Sequence, residues 1–266
     1  MPSLNDWTSR WDAFTGKLTT RLEEVQEEAL GAFGDVAATA PLDHTPQAAL
    51  ESAVQARHNK LGDKLDTAVE TLDNELDELA DDTEDDRALA RIEALRDRAT
   101  QQQQELQTAI DRAEQSCKVH GAAVIAKAIE AAFRDEDATQ SCVQCGNPFD
   151  PGPITQSTAV ACPGCGAKLT VGPHPAAMAW YSRGLAAVAE AEAWPMWVAY
   201  RAAEERYSDG PSSQRLTAHV QAAEAYHRTV FGVLVERHPA WDKAKAEQQI
   251  QGRCEQIRSL HERFQS

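Results

Sequence analysis

The chain has six cysteines in 266 residues, far too few to staple a secreted chain of this length, and a disulfide scaffold is thereby excluded. Basic residues are also short: 26 Lys and Arg stand against 42 Asp and Glu, a net charge of −16 and an isoelectric point near 4.9. An acidic chain repels phosphate, so its bulk is not a nucleic-acid or anionic-membrane surface. No stretch of about 18 apolar residues occurs, so no membrane span is expected. The opening Met-Pro-Ser-Leu-Asn-Asp-Trp lacks the basic-then-apolar run of a signal peptide. The expected compartment is therefore a reducing cytoplasm, where paired cysteines hold metal more often than each other. Phosphate-binding Walker loops, dinucleotide glycine fingerprints, His-Glu-x-x-His and Gly-x-Ser-x-Gly elbows are all missing, so no common enzyme class announces itself.

What remains is enough for a core: 42% of the residues are hydrophobic. The charge is unevenly placed. Residues 1–140 carry 14 basic and 30 acidic side chains, and residues 141–266 carry 12 of each. The asymmetry coincides with a change of pattern, which predicts a domain boundary there. The reading is mainly α: an acidic antiparallel, elongated coiled-coil bundle over 1–138, a β-hairpin zinc ribbon over 139–173, and an aromatic-rich helical domain over 174–266.

Three long helices are predicted in the first part. One stripe runs Trp7, Trp11, Phe14, Leu18, Leu22 and Val25. A second passes through Leu50, Val54, Leu61, Leu65, Ala68, Leu72, Leu76 and Leu79, with two successive steps of four that read as a stutter in the heptad. A third runs from Ala88 through Ile92, Leu95, Ala99, Leu106, Ile110 and Ala113 past Val124, about 50 residues and roughly 75 Å if unbroken. Apolar residues at steps of three and four line one face of a helix and demand partner helices. Pro41 and Pro46 flank the first break. Asp81–Asp86 forms the second, with Thr83 or Asp82 as the expected cap of the third helix. The run from Asp66 to Asp86, which contains no basic residue, is read as a solvated face, with docking of a basic partner as the sharper alternative.

Beyond Val171 a helix is expected from Pro175 to Tyr207, kinked at Pro195, followed by a turn at Ser208-Asp209-Gly210-Pro211. A further helix from Ser212 is expected to break at His238-Pro239 and run on to Phe264. The tyrosines and tryptophans here are read as core.

One motif is specific. Cys142-x-x-Cys145 and Cys162-x-x-Cys165 are separated by sixteen residues, a spacing expected of a structural zinc site. Two cysteines separated by two residues direct both sulfurs to one ion from a tight turn, and two such turns complete a tetrahedron. Gly146 and Gly166 follow the two turns, where a residue without a Cβ is needed. Thr158–Ala161 and Lys168–Val171 are the predicted strands. Iron and a pair of redox disulfides are the competing chemistries. The segment resembles the zinc-ribbon module, above all in its Cys-Pro-Gly-Cys-Gly-Ala second turn. The resemblance implies Cys142, Cys145, Cys162 and Cys165 as thiolate ligands of one structural zinc with no open coordination position.

Weaker signals are read structurally. Cys117 and His120 lie three apart on the third helix, Cys254 has no partner in the sequence, and Glu224-x-x-His227 lacks the second copy that a di-iron bundle requires. The amphipathic first helix carries Glu23, Glu24, Glu27 and Glu28, which argues against a membrane surface. The leading expectation is a non-enzymatic scaffold or adaptor whose partners are proteins or copies of itself. The overall plan also resembles bacterial proteins in which a long helical hairpin precedes a four-cysteine ribbon, some of which contact RNA or transcription machinery. A nucleic-acid-linked regulator is the alternative that resemblance implies, although Lys168 is nearly the only basic residue in the ribbon. An enzyme housed in the C-terminal helices is the third reading.

Overall fold

The computed structural model describes residues 4–135, 139–152, 154, 157–239 and 241–265. The fold is mainly α. Contacts divide the chain into two units, Met1–Asp35 with His44–Gly121, and Val36–Asp43 with Ala122–Ser266. The boundary expected at 138/139 adjoins residues 136–138, which lie outside the described residues.

The first unit is built from α1 (Leu4–Thr39), α2 (His44–Asp81) and α3 (Asp86–Arg134), except that residues 36–39 of α1 and 122–134 of α3 belong to the second unit. Their register is read from polar pairs. Arg91 donates to Asn5 Oδ1 at 2.9 Å and Arg98 to Asp12 Oδ1 at 2.6 Å, so residue numbers on α1 and α3 rise together and the two helices run parallel. Gln103 donates to Asp66 at 2.9 Å and Arg96 pairs with Asp77, so α2 opposes α3. Arg57 pairs with Glu28 across α1 and α2. The apolar stripes fill the centre: Trp7, Trp11, Leu18, Leu22 and Val25 of α1 meet Leu61, Leu65, Val69, Leu72 and Leu76 of α2 and Ile92, Leu95, Ala99, Ile110 and Ala113 of α3. The buried indole N–H of Trp11 is satisfied by Gln102 Oε1 at 2.6 Å.

The predicted stripes need three amendments. Val69 rather than Ala68 takes the most buried position, so the two successive steps of four fall at Leu61, Leu65 and Val69, and the stutter lies one turn earlier than the sequence placed it. The gap between Val54 and Leu61 is filled by His58, fully buried, whose Nδ1 meets the Val54 carbonyl at 2.8 Å and whose Nε2 has no partner among the described residues. On α3, Val124 is exposed while Cys117, Val119, Ala123, Ile125, Ala126 and Ile129 are buried. The cap of α3 is Asp85, not Thr83 or Asp82. Its carboxylate accepts from the Arg87 N–H at 3.0 Å, while the Thr83 hydroxyl accepts from the Asp85 N–H.

In the second unit the ribbon is followed by α4 (Pro175–Ala179), a π-helical turn (Trp180–Gly184), α5 (Leu185–Glu192), α6 (Trp194–Ser208), α7 (Ser213–Arg237) and α8 (Lys243–Gln265). The expected single helix over 175–207 is therefore interrupted twice. The extra residue of the π turn lies where the Trp180 ring covers Gly184; a Cβ there would stand 2.8 Å from that ring. Pro195 does not kink a continuous helix: the backbone breaks at Ala193, and Pro195 occupies the first turn of α6, where its missing N–H costs nothing. The hydroxyl of Ser212 caps α7 by accepting from the Arg215 N–H at 3.2 Å, and Asp242 accepts from the Lys245 N–H at 2.8 Å at the start of α8. Val220, Ile250 and Cys254 join α7 to α8, and α5 and α6 pack on α7. Phe133 and His238 both meet the Tyr181 ring edge-on, at 5.6 and 5.1 Å. Among the described residues no helix is long and apolar enough to cross a membrane.

Candidate metal centre

Each cysteine pair sits in its own short antiparallel hairpin. β1 (Gln140–Ser141) pairs with β2 (Pro148–Phe149) around the first, and β3 (Thr158–Ala161) with β4 (Lys168–Val171) around the second. The second hairpin has the predicted strands; the first, two residues a side, leaves no periodicity to read.

The two turns repeat one hydrogen-bond pattern. The Cys142 N–H donates to the Asn147 carbonyl at 3.0 Å and the Gly146 N–H to the Cys142 carbonyl at 2.8 Å. In the second turn the Cys162 N–H donates to Ala167 and the Gly166 N–H to Cys162, both at 2.8 Å. Gly146 and Gly166 have φ of 70° and 75°, the left-handed region that closes the turn and that a Cβ disfavours. Backbone N–H groups point at the sulfurs: Gln144 at Cys142 Sγ, 3.4 Å, and Gly164 at Cys162 Sγ, 3.3 Å. The turns also touch. A Cβ on Gly164 would stand 3.0 Å from Asn147, so the second turn needs glycine there for the first to approach.

These turns bring the four sulfurs within 4.8 Å of one another. Cys142 Sγ lies 3.7 Å from Cys165 Sγ, and Cys145 Sγ 3.7 Å from Cys162 Sγ. Sulfurs bound at about 2.3 Å around a tetrahedral ion stand about 3.8 Å apart, whereas a disulfide needs about 2.05 Å. The geometry therefore fits one tetrahedral metal ion and not two disulfides. Cys142 and Cys162 are buried with Phe149 and Val171, while Cys145 and Cys165 are exposed.

The electrostatics point the same way. The N–H groups of Cys145 and Gln144 draw the Cys142 thiol down to about 7. At Cys165 the Ala167 N–H favours the thiolate, but the neighbouring sulfurs of Cys145, Cys142 and Cys162, together with desolvation, push the thiol up to about 12. Four sulfurs this close do not all ionise unless a cation sits among them.

No other group of three or more potential ligands is found among the described residues. Cys117 is buried in α3, and burial followed by the Glu114 charge pushes its thiol up to about 11. Cys254 is buried against Val220 and Ile250. Glu224 is held by Arg228 at 2.8 Å, and the His227 ring stacks at 6.2 Å on Phe231, so Glu224-x-x-His227 forms no ligand pair. The aromatic residues are less central than expected: Trp180 is buried, but Tyr200, Tyr207, Tyr226, Trp194 and Trp197 are only partly so. Two buried histidines had no predicted role: among the described residues, His58 Nε2 and both ring nitrogens of His219 have no hydrogen-bond partner. Only His58 left a trace in the sequence, as the missing inward residue of the α2 stripe. No family model, curated protein or solved structure matches this chain.

Proposed function

We propose that the protein is a non-enzymatic scaffold or adaptor built around one structural zinc ion, with proteins or further copies of itself as partners. The observation that carries this reading is the closed four-sulfur geometry at Cys142, Cys145, Cys162 and Cys165. With four protein ligands the metal keeps no position for water or substrate, so it acts by folding its module. Zinc suits the site because it takes four thiolates tetrahedrally and has no redox chemistry of its own. Val143, at the tip of the first turn, is 89% exposed, and it is the residue assigned to partner contact in this reading. A nucleic-acid role has no comparable support, because Lys168 is the only basic residue in 139–173.

Native mass spectrometry of the purified chain, with and without a strong chelator, tests both halves of the reading. One zinc per chain in a dimer or larger assembly is the expected result, and Val143→Glu weakens that assembly while leaving the zinc bound. A metal-free monomer, or a chain carrying iron, overturns it.

A further inference from the structure

The six cysteines fall into two classes. Cys117 on α3 and Cys254 on α8 are buried, and burial pushes both thiols up, that of Cys117 to about 11. A protonated thiol shut away from solvent is a poor nucleophile, so neither responds to a mild oxidant. Cys145 and Cys165 of the metal centre are exposed. Half of the candidate ligand set therefore faces solvent.

The surroundings leave one of those sulfurs electron-rich. Four thiolates around one divalent cation carry an excess of two negative charges. Lys168 is the only basic residue in 139–173, so little in the segment offsets that excess. The backbone N–H groups of Gln144 and Gly164 meet sulfur at 3.4 and 3.3 Å, and they go to the buried Cys142 and Cys162. Such donors draw charge from a ligand. The Ala167 N–H acts on Cys165 in the same sense. Cys145 Sγ meets only the Cys162 sulfur among the described residues.

A second thiolate stands ready to complete an oxidation. Cys145 Sγ lies 3.7 Å from Cys162 Sγ of the opposite turn, and Cys165 Sγ the same distance from Cys142 Sγ. Each of these pairs joins one exposed to one buried sulfur. The turns already touch, since a Cβ on Gly164 would stand 3.0 Å from Asn147. An exposed thiolate beside a resolving one is the arrangement that lets a cysteine report an oxidant reversibly.

We propose that the metal centre is a peroxide-responsive switch, a reading that rests on the structural zinc proposed above: Cys145 takes the oxidant, Cys162 resolves it into a disulfide between the two turns, and the zinc is lost. The Cys145 thiolate attacks one oxygen of hydrogen peroxide, the O–O bond breaks, hydroxide leaves and the sulfur becomes a sulfenic acid. The Cys162 thiolate then attacks that sulfur. The S–S bond forms, the S–O bond breaks and a second hydroxide leaves. Two thiolates have given two electrons to one peroxide. Cys165 and Cys142 repeat the sequence with a second equivalent. A chain with two thiolates left has too few ligands for a tetrahedral ion, and the ribbon loses what folds it. The partner contact assigned to Val143 is lost with it.

The full chain, weighed by native mass spectrometry, is mixed at neutral pH with hydrogen peroxide and a coloured zinc chelator. Its disulfides are then mapped without reduction. Cleavage at Asp150 separates the two turns, so a disulfide between them links two peptides and one inside a turn does not. The zinc should be released, and the first disulfide should join Cys145 to Cys162. Release should run about tenfold or more faster than the Cys117 and Cys254 thiols are lost. Dithiothreitol with added zinc should restore the loaded chain. Cys117→Ser combined with Cys254→Ser should release zinc at the native rate; if that chain does not fold, the disulfide map of the native chain decides. A chain that is metal-free or carries iron before peroxide is added fails the zinc reading itself, and the switch with it. A zinc-loaded chain that keeps its zinc while Cys117 or Cys254 is oxidised leaves the zinc reading standing and overturns the switch. So does one that forms disulfides inside a single turn or stops at sulfinic acid.

Discussion

The helices of the first unit and the ribbon of the second hold themselves together by different means. Around α1–α3, fifteen buried apolar residues form one continuous cluster. Among the described residues the ribbon has four, of which two are the candidate ligands Cys142 and Cys162. At about 25 cal/mol per Å² of apolar surface, the first cluster sustains its helices by burial alone, and the second cannot order thirty-odd residues of strand and turn. The difference places stability in side-chain packing in one region and, on the function proposed above, in a coordination sphere in the other.

Removing the metal should break that comparison most sharply. Structural zinc contributes on the order of 10–16 kcal/mol in small modules, so chelation or Cys162→Ser should erase the dispersed NMR signals of the ribbon. The far-UV circular dichroism should keep most of its helical intensity, because α1–α3 do not depend on the ion. If the helices of the first unit melt with the metal, the two regions share one source of stability and the contrast fails.

Leu65→Ala is the converse experiment. Leu65 is fully buried in the bundle, and truncation there should cost about 2–5 kcal/mol in urea unfolding of the first unit. Metal stoichiometry should not change.

Gly146→Ala sharpens the comparison inside the ribbon. At φ of 70° a Cβ costs about 1–2 kcal/mol. That loss should appear as weaker metal retention in a chelator competition, with the helices unaffected.

The smallest effect expected is a shallow acid dependence confined to the second unit. Burial lowers the His219 imidazole below its ordinary 6.5, so the folded state binds fewer protons than the unfolded chain. Its contribution is present above 6.5 and is lost as pH falls through the depressed value. Thermal unfolding at saturating zinc, compared between pH 7 and 5, should show a smaller acid loss in His219→Phe than in the native chain. An equal loss in both would remove His219 as the cause.

Much of this architecture was legible in the sequence, for a local reason. A helix buries a face every three or four residues, so Leu61, Leu65, Leu72 and Leu76 mark α2 before any neighbour is known. Two Cys-x-x-Cys turns need sulfur at fixed offsets and glycine at the left-handed position, so Cys142, Cys145, Cys162, Cys165, Gly146 and Gly166 are visible as a string of letters. The first hairpin was not legible, because strands of two residues carry no period. Nor was the break at Ala193: proline in a sequence is compatible with both a kink and a new first turn.

The sequence alone thus determined the helical class, the three long stripes and the set of sulfurs, all of which depend on spacing along one chain. Tertiary structure alone decided that Val69 and not Ala68 faces inward, and that His58 completes a hydrophobic stripe. It also decided that Gly121 must lack a side chain, since a Cβ there would meet the Phe33 ring at 2.2 Å, and that His219 is buried between Tyr200 and Tyr207 with no hydrogen-bond partner among the described residues. Each of these depends on which atoms of distant segments share one small volume, and close packing makes that outcome a property of all the surrounding side chains at once.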